Sequence, residues 1–207
     1  MARFHLLFAR LQLLGSIVFA SLQPPCRKSA EMDTLLDGKE LVIYGGKGYK
    51  LSTTGLFLDD TWQFDLDGKN QWNNLSTLAP SARWKTATAP VATGKLWILF
   101  GGCLDVSASG VQNDLWVFSA RSSRWRQVST ENAPPPRRGH VVATNATHLV
   151  VFGGKSWQSG HVTVLKDLWA LPLSALDEGA PIGRWTQGAT FPAAARWGAT
   201  GTVIKQQ

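Results

Sequence analysis

A chain of 207 residues that is 44% hydrophobic and 17% charged is long enough to bury a core and too apolar to be a disordered polyelectrolyte. Its formal charge of +7, from 21 basic and 14 acidic side chains, invites a nucleic-acid reading. The bases are scattered, however, and cluster only at Arg121, Arg124 and Arg126 and at Arg137-Arg138. With no nucleic-acid module beside them, that partner is not expected.

Residues 1–20 stand apart from the rest. Arg3 and Arg10 precede an uncharged apolar run, Leu11 to Ala20, that closes on Val18-Phe19-Ala20, the layout of a signal peptide and too short for a membrane span. The competing reading is an amphipathic or mitochondrial leader, because the segment carries arginine and no acid. Residues 21–27 read as a linker. Two acceptor sequons, at Asn74 and Asn145, accord with secretion and glycosylation. Cys26 and Cys103 allow one disulfide, which sequence alone cannot pair.

From residue 28 one order of parts recurs three times. It begins with an apolar run (Leu41 to Tyr44, Leu96 to Phe100, Leu149 to Phe152) that ends on a glycine pair: Gly45-Gly46, Gly101-Gly102 and Gly153-Gly154. A polar loop follows, then an Asp-x-Trp-like run with Trp62, Trp116 or Trp169, then a second tryptophan, Trp72, Trp125 or Trp185. Connectors with Arg83, Arg138 and Arg196 come between the copies, and Trp84 and Trp197 fall at another matched place. A period near ~50 residues built from short strands points to β-propeller blades. Tight turns at Asp37-Gly38, Thr93-Gly94 and Asn145-Ala146 put the innermost strands at about 31–35, 86–91 and 141–144. The apolar runs are then second strands, the Trp-bearing runs third strands, and the last tryptophans lie on outermost strands.

This order resembles the kelch family, across roughly residues 28–204. The resemblance implies an all-β propeller of about three four-stranded blades (28–79, 80–133, 134–190) and the first strand of a fourth (191–207). So few blades do not close a ring, and further C-terminal blades or self-association would complete it. In kelch connectors an arginine precedes Gly-His. The middle copy has Arg138-Gly139-His140, the others depart from it, and the first copy has at best Lys28. These arginines are expected to hold the connectors through carbonyl groups.

The loops after the glycine pairs are long and unlike one another, as binding loops on a rigid scaffold are. Tyr49, Lys50, Leu104, Asp105, Trp157 and His161 are the candidate protein-binding residues. No metal-ligand spacing, phosphate loop or nucleophile elbow is present, so neither catalysis nor a cofactor is expected. The expected function is noncatalytic protein binding within a secreted or cell-surface protein, as in ectodomains of attractin-like proteins. Two alternatives stay open: part of a secreted oxidase resembling galactose oxidase, with a site completed by other blades, or an intracellular kelch substrate adaptor.

Overall fold

A computed structural model describes residues 23–48, 57–68, 70–75, 78–91, 94–107, 109–188, 195–199 and 201. The expected leader therefore lies outside the described residues, as do Tyr49 and Lys50. Three four-stranded antiparallel sheets form, each with its strands side by side in chain order. The first comprises Glu31–Leu35, Glu40–Tyr44, Thr61–Asp65 and Trp72–Asn74. The second comprises Ala87–Pro90, Leu96–Cys103, Val111–Ser119 and Arg124–Val128. The third comprises Val141–Thr144, His148–Phe152, Leu168–Pro172 and Thr186–Gln187. A 3₁₀ turn at Leu173–Leu176 is the one helical element among the described residues.

Turn chemistry explains the reversals. Leu36, Asp37 and Gly38 all enter the left-handed region (φ 50°, 57° and 84°), which bends the chain between Leu35 and its partner Glu40. In the third sheet the Asn145 side-chain oxygen accepts the backbone N–H groups of Thr147 and His148 at 2.8 and 2.7 Å, an Asx-type turn.

The sheets stack through two apolar layers. Side chains alternate across a strand, so Trp97 and Leu99 face Leu35, Val42 and Tyr44 of the first sheet, while Ile98 and Phe100 face Val142, Leu149 and Val151 of the third. Two-sided burial is why residues 96–100 read as an unbroken apolar run. The same expectation for the outer sheets needs correction: Leu41, Ile43, Val150 and Phe152 are only half-buried, because no described sheet covers that side.

The outermost tryptophans seal the layers by reaching one blade back. Trp125 donates its indole N–H to Thr61 Oγ1 at 2.9 Å and stacks within 5.3 to 5.5 Å of Tyr44, Phe118 and Trp97. Trp185 instead donates to Thr130 Oγ1 at 3.0 Å, just past the last strand of the second sheet. Each such ring removes ~150–250 Å² from water, or about 4–6 kcal/mol at ~25 cal/mol per Å². Among the described residues the sheets form a propeller arc that does not close into a ring.

Candidate functional site

Three connectors deliver an arginine to one repeated position. Arg27, Arg83 and Arg137 each donate Nε to a carbonyl two residues earlier, Pro25, Ser81 or Pro135, at 3.1, 2.9 and 2.9 Å. Each donates Nη1 to the first glycine carbonyl of its own blade, Gly45, Gly101 or Gly153, at 3.0, 3.1 and 3.0 Å. Both terminal nitrogens then grip an aspartate: Asp60 at 2.7 Å twice, Asp114 at 2.6 and 2.9 Å, Asp167 at 2.8 Å twice. The aspartate also accepts the indole N–H two residues on, from Trp62, Trp116 or Trp169, at 2.6 to 2.7 Å. Asp-x-Trp is therefore one hydrogen-bonded unit, possible because residues i and i+2 of an extended chain share a face.

This arrangement corrects the arginine register. The middle copy uses Arg137, not Arg138; Arg138 instead pairs its backbone with Lys155 and points Nη1 at Cys103 Sγ, 3.7 Å away. The first copy uses Arg27, inside the stretch read as linker, rather than Lys28. A Pro-x-Arg pattern, Pro25-x-Arg27 and Pro135-x-Arg137, carried that signal. Burial opposes the charge on Asp167, but the Arg137 and Trp169 donors outweigh it and hold the carboxyl below its usual value.

The glycine pairs join blade to blade. The second glycine donates its N–H to the next connector's arginine carbonyl: Gly46 to Arg83, Gly102 to Arg137 and Gly154 to Arg196, at 2.8 to 2.9 Å. Arg196 thus matches the others in its backbone, while its side chain is exposed. Gly154 at φ 94° has no room for a Cβ, which would fall 2.7 Å from His140 Cβ and 2.9 Å from the Arg138 carbonyl. His140 is buried, and that burial and then the Arg137 charge lower its pKa to about 3, so the ring is neutral near pH 7. It packs edge-on to Phe100 at 5.5 Å.

Past each arginine the connectors turn inward. Ser29, Lys85, Gly139 and Gly198 occupy one repeated position with φ of 52°, 52°, 59° and 65°, and Gly139 N–H bonds to the Lys85 carbonyl as Gly198 N–H does to that of Gly139. They frame a cavity of about 410 Å³ beside the innermost strands. Glu31, Thr88, Lys85, Gly139 and Trp197 are among its lining residues. Glu31 lies 3.5 Å from Thr88 Oγ1, and burial pushes its carboxyl up to about 7 against the Thr86 and Thr88 hydrogen bonds.

Lys85 and Trp197 of this lining also belong to a basic and aromatic cluster. Lys85 Nζ sits 4.4 Å from the Trp84 ring centroid and 5.5 Å from that of Trp197, and Lys155 Nζ sits 3.5 Å from Trp197. Lys47 lies 5.9 Å from both Phe57 and Trp84. Such contacts favour the ammonium form, yet partial burial, then the charges of Arg138 and Lys155, lower the Lys85 pKa.

The described sequence candidates lie on the loops after the second and third glycine pairs. Trp157 and His161 share the hairpin Lys155–Gln158/His161–Val164, but Trp157 pairs with Val162 and His161 with Gln158, which puts them on opposite faces. Leu104 donates its N–H to the Gly110 carbonyl, and Asp105 turns its carboxylate onto the Ser107 N–H and hydroxyl at 3.0 and 2.8 Å. Asn74 ends its outermost strand and Asn145 sits in its turn, both exposed. Cys26 is exposed and Cys103 buried, and both are free thiols. Lys85, Lys155 and Glu31 were not among the candidates, since nothing in the linear order places them together.

Comparison with known proteins accords with this geometry. Residues 15–206 match the KLHDC2/KLHL20/DRC7 Kelch-repeats domain. The chain belongs to the kelch-repeat family. This kelch chain is 33% identical over 142 residues to Adagio-like protein 3 of Oryza sativa subsp. japonica, covering 66% of the chain and 21% of the relative. It is 30% identical over 145 residues to an F-box/kelch-repeat protein of Arabidopsis thaliana, covering 65% and 28%. The chain thus spans under a third of either relative's length. The solved structure of YjhT superposes with a TM-score of 0.62 at 13% identity, covering 82% of this chain and 53% of that one, a likeness of fold. The match begins inside the expected leader, and nothing in these similarities supports the secreted, attractin-like subtype or glycosylation. No described helix is long and apolar enough to cross a membrane.

Proposed function

We infer that this kelch chain is a noncatalytic protein-interaction module whose binding face carries the connectors and the loops after the glycine pairs. One observation carries the reading: each Arg–Asp–Trp clamp fixes the base of a loop that differs in sequence from the others, while the hairpin over residues 155–164 presents Trp157, Val162 and His161 to solvent. Rigid support beneath variable, exposed side chains is the usual construction of a binding face. An intracellular adaptor setting, in which the propeller arc selects a partner for a neighbouring domain, fits the kelch relatives better than a secreted one. The relatives named above include an F-box/kelch-repeat protein.

The test is partner capture from cell lysate by the natural chain and two variants. Trp157→Ala with His161→Ala is expected to lose captured proteins, and Arg121→Ala with Arg124→Ala, in an outer turn, to keep them. Identical capture by all three overturns the assignment of the face.

A further inference from the structure

We propose that the free edge of the hairpin strand His161–Val164 pairs with the same edge of a second copy of this chain, strand against antiparallel strand about a twofold axis at Thr163. The proposal goes beyond the interaction-face reading above and does not depend on it.

The hairpin joins Lys155–Gln158 to His161–Val164 through Ser159-Gly160, whose φ of 50° and 83° suit a two-residue turn. The second blade has no such extension, since its strand pairing stops at Cys103 and Val111. Hydrogen-bond parity sets what the edge presents. Lys155 exchanges its N–H and C=O with Arg138, on the side away from its hairpin partner Val164. In an antiparallel ladder both members of such a wide pair turn these groups outward. Val164 therefore presents its own N–H and C=O on the far side of the hairpin, and Val162, two residues back, does the same. Among the described residues no backbone group meets them. An edge of this kind is normally blunted by lysine, proline or a bulge. His161-Val162-Thr163-Val164 has neither lysine nor proline, and its register with Lys155–Gln158 runs without a shift.

The occupant is written in the strand itself. Val162-Thr163-Val164 reads the same in both directions. Antiparallel pairing about Thr163 sets Val162 against Val164 of the second copy, so each outward N–H meets an outward carbonyl. Thr163 then faces its own counterpart in the close, non-hydrogen-bonded position, where threonine pairs are favourable. The faces match as well. Trp157, Val162 and Val164 share one side of the hairpin and are 40%, 42% and 37% exposed. Pairing joins the valines of both copies into one apolar stripe with a tryptophan at each end. An unrelated extended peptide satisfies the main-chain bonds alone; the second copy also matches the side chains, and such a contact closes after two copies.

The experiment is sedimentation equilibrium of the full chain carrying Cys26→Ser, which removes the exposed thiol. The edge is short, so the expected dimer is reversible and forms over roughly 10–100 μM. Val162→Pro deletes one outward N–H, a place where an edge strand accepts proline, and Thr163→Lys sets like charges against each other across the axis. Each is expected to weaken dimerisation about tenfold or more, with folding checked by thermal melting. Thr163→Cys reads the register. Lying on the axis, it is within disulfide reach of its counterpart and should link to it as oxidised glutathione takes up the two electrons and two protons, whereas Gln158→Cys, on the neighbouring strand, should not. A chain that stays monomeric at about 100 μM overturns the proposal, as does equal cross-linking at 158 and 163. Dimers undiminished in both folded variants overturn it too, and move the contact to the open faces of the first and third sheets. If Val162→Pro instead loses captured proteins while the parent chain is monomeric, the edge belongs to a foreign strand and self-pairing falls.

Discussion

Arg137 and Asp167 meet through two parallel hydrogen bonds of 2.8 Å, with the arginine side chain 0% and the aspartate 14% exposed. Removing one partner of such a pair strands the other without solvent or counter-charge. Asp167→Asn is expected to cost about 3–5 kcal/mol, read as a lowered urea midpoint. The pair also has a pH signature. A carboxyl held below its unfolded value contributes stability that is complete above about pH 4 and is lost as pH falls through the folded value. Acid titration of stability should therefore be steeper in the natural chain than in Asp167→Asn.

Glu31 and His140 act in opposite directions. With a folded pKa of about 7, Glu31 binds its proton more tightly folded than unfolded, so its penalty is absent below about pH 4 and complete above about pH 7. Glu31→Gln should raise stability near pH 8 and change it little near pH 4, by at most about 3 kcal/mol, less where water reaches the carboxyl. His140, with a folded pKa of about 3, contributes stability that is complete above about pH 6.5 and declines as pH falls below it. Urea midpoints of each variant across this range separate the two.

Glycines at one spacing differ in what they permit. Gly154→Ala forces a Cβ against His140 and the Arg138 carbonyl, and should cost several kcal/mol or prevent folding. Gly160 has a similar φ of 83° but open space around it, so Gly160→Ala should cost only about 1–2 kcal/mol of backbone strain. Thermal melts of the two variants provide the comparison.

Lys85 holds a left-handed φ of 52° where Gly139 and Gly198 fill the same repeated position. Lys85→Gly should raise stability by up to about 1 kcal/mol through relief of that strain. A melting temperature of the variant above that of the natural chain checks this.

The three sheets were legible in the sequence because glycine pairs, Asp-x-Trp runs and turn residues are local signals, and all three innermost strands fell where the turns put them. The arginine register was not, because Arg137 and Arg138 are neighbours in sequence and the Gly-His beside Arg138 favoured the wrong one. What decides between them is an aspartate 30 residues away. The cluster beside the cavity was less legible still. Lys85, Lys155 and Trp197 meet only because two connectors and the hairpin after the third glycine pair come together in space, and that geometry has no counterpart in linear spacing.

Each clamp ties together the two ends of the loop it serves: Arg137, for example, holds the carbonyl of Gly153 at one end and the carboxylate of Asp167 at the other. The stem is thereby closed whatever the residues between contribute, and lengthening such a loop costs little, about 0.6 kcal/mol for each doubling. The segments over 104–110 and 157–164 are thus inserts on a fixed frame, whose stems, Cys103, Gln112, Lys155 and Leu165, stay bonded to the connectors and the glycine pair. Exchanging one for a foreign sequence should redirect recognition while the melting behaviour of the frame stays as it was.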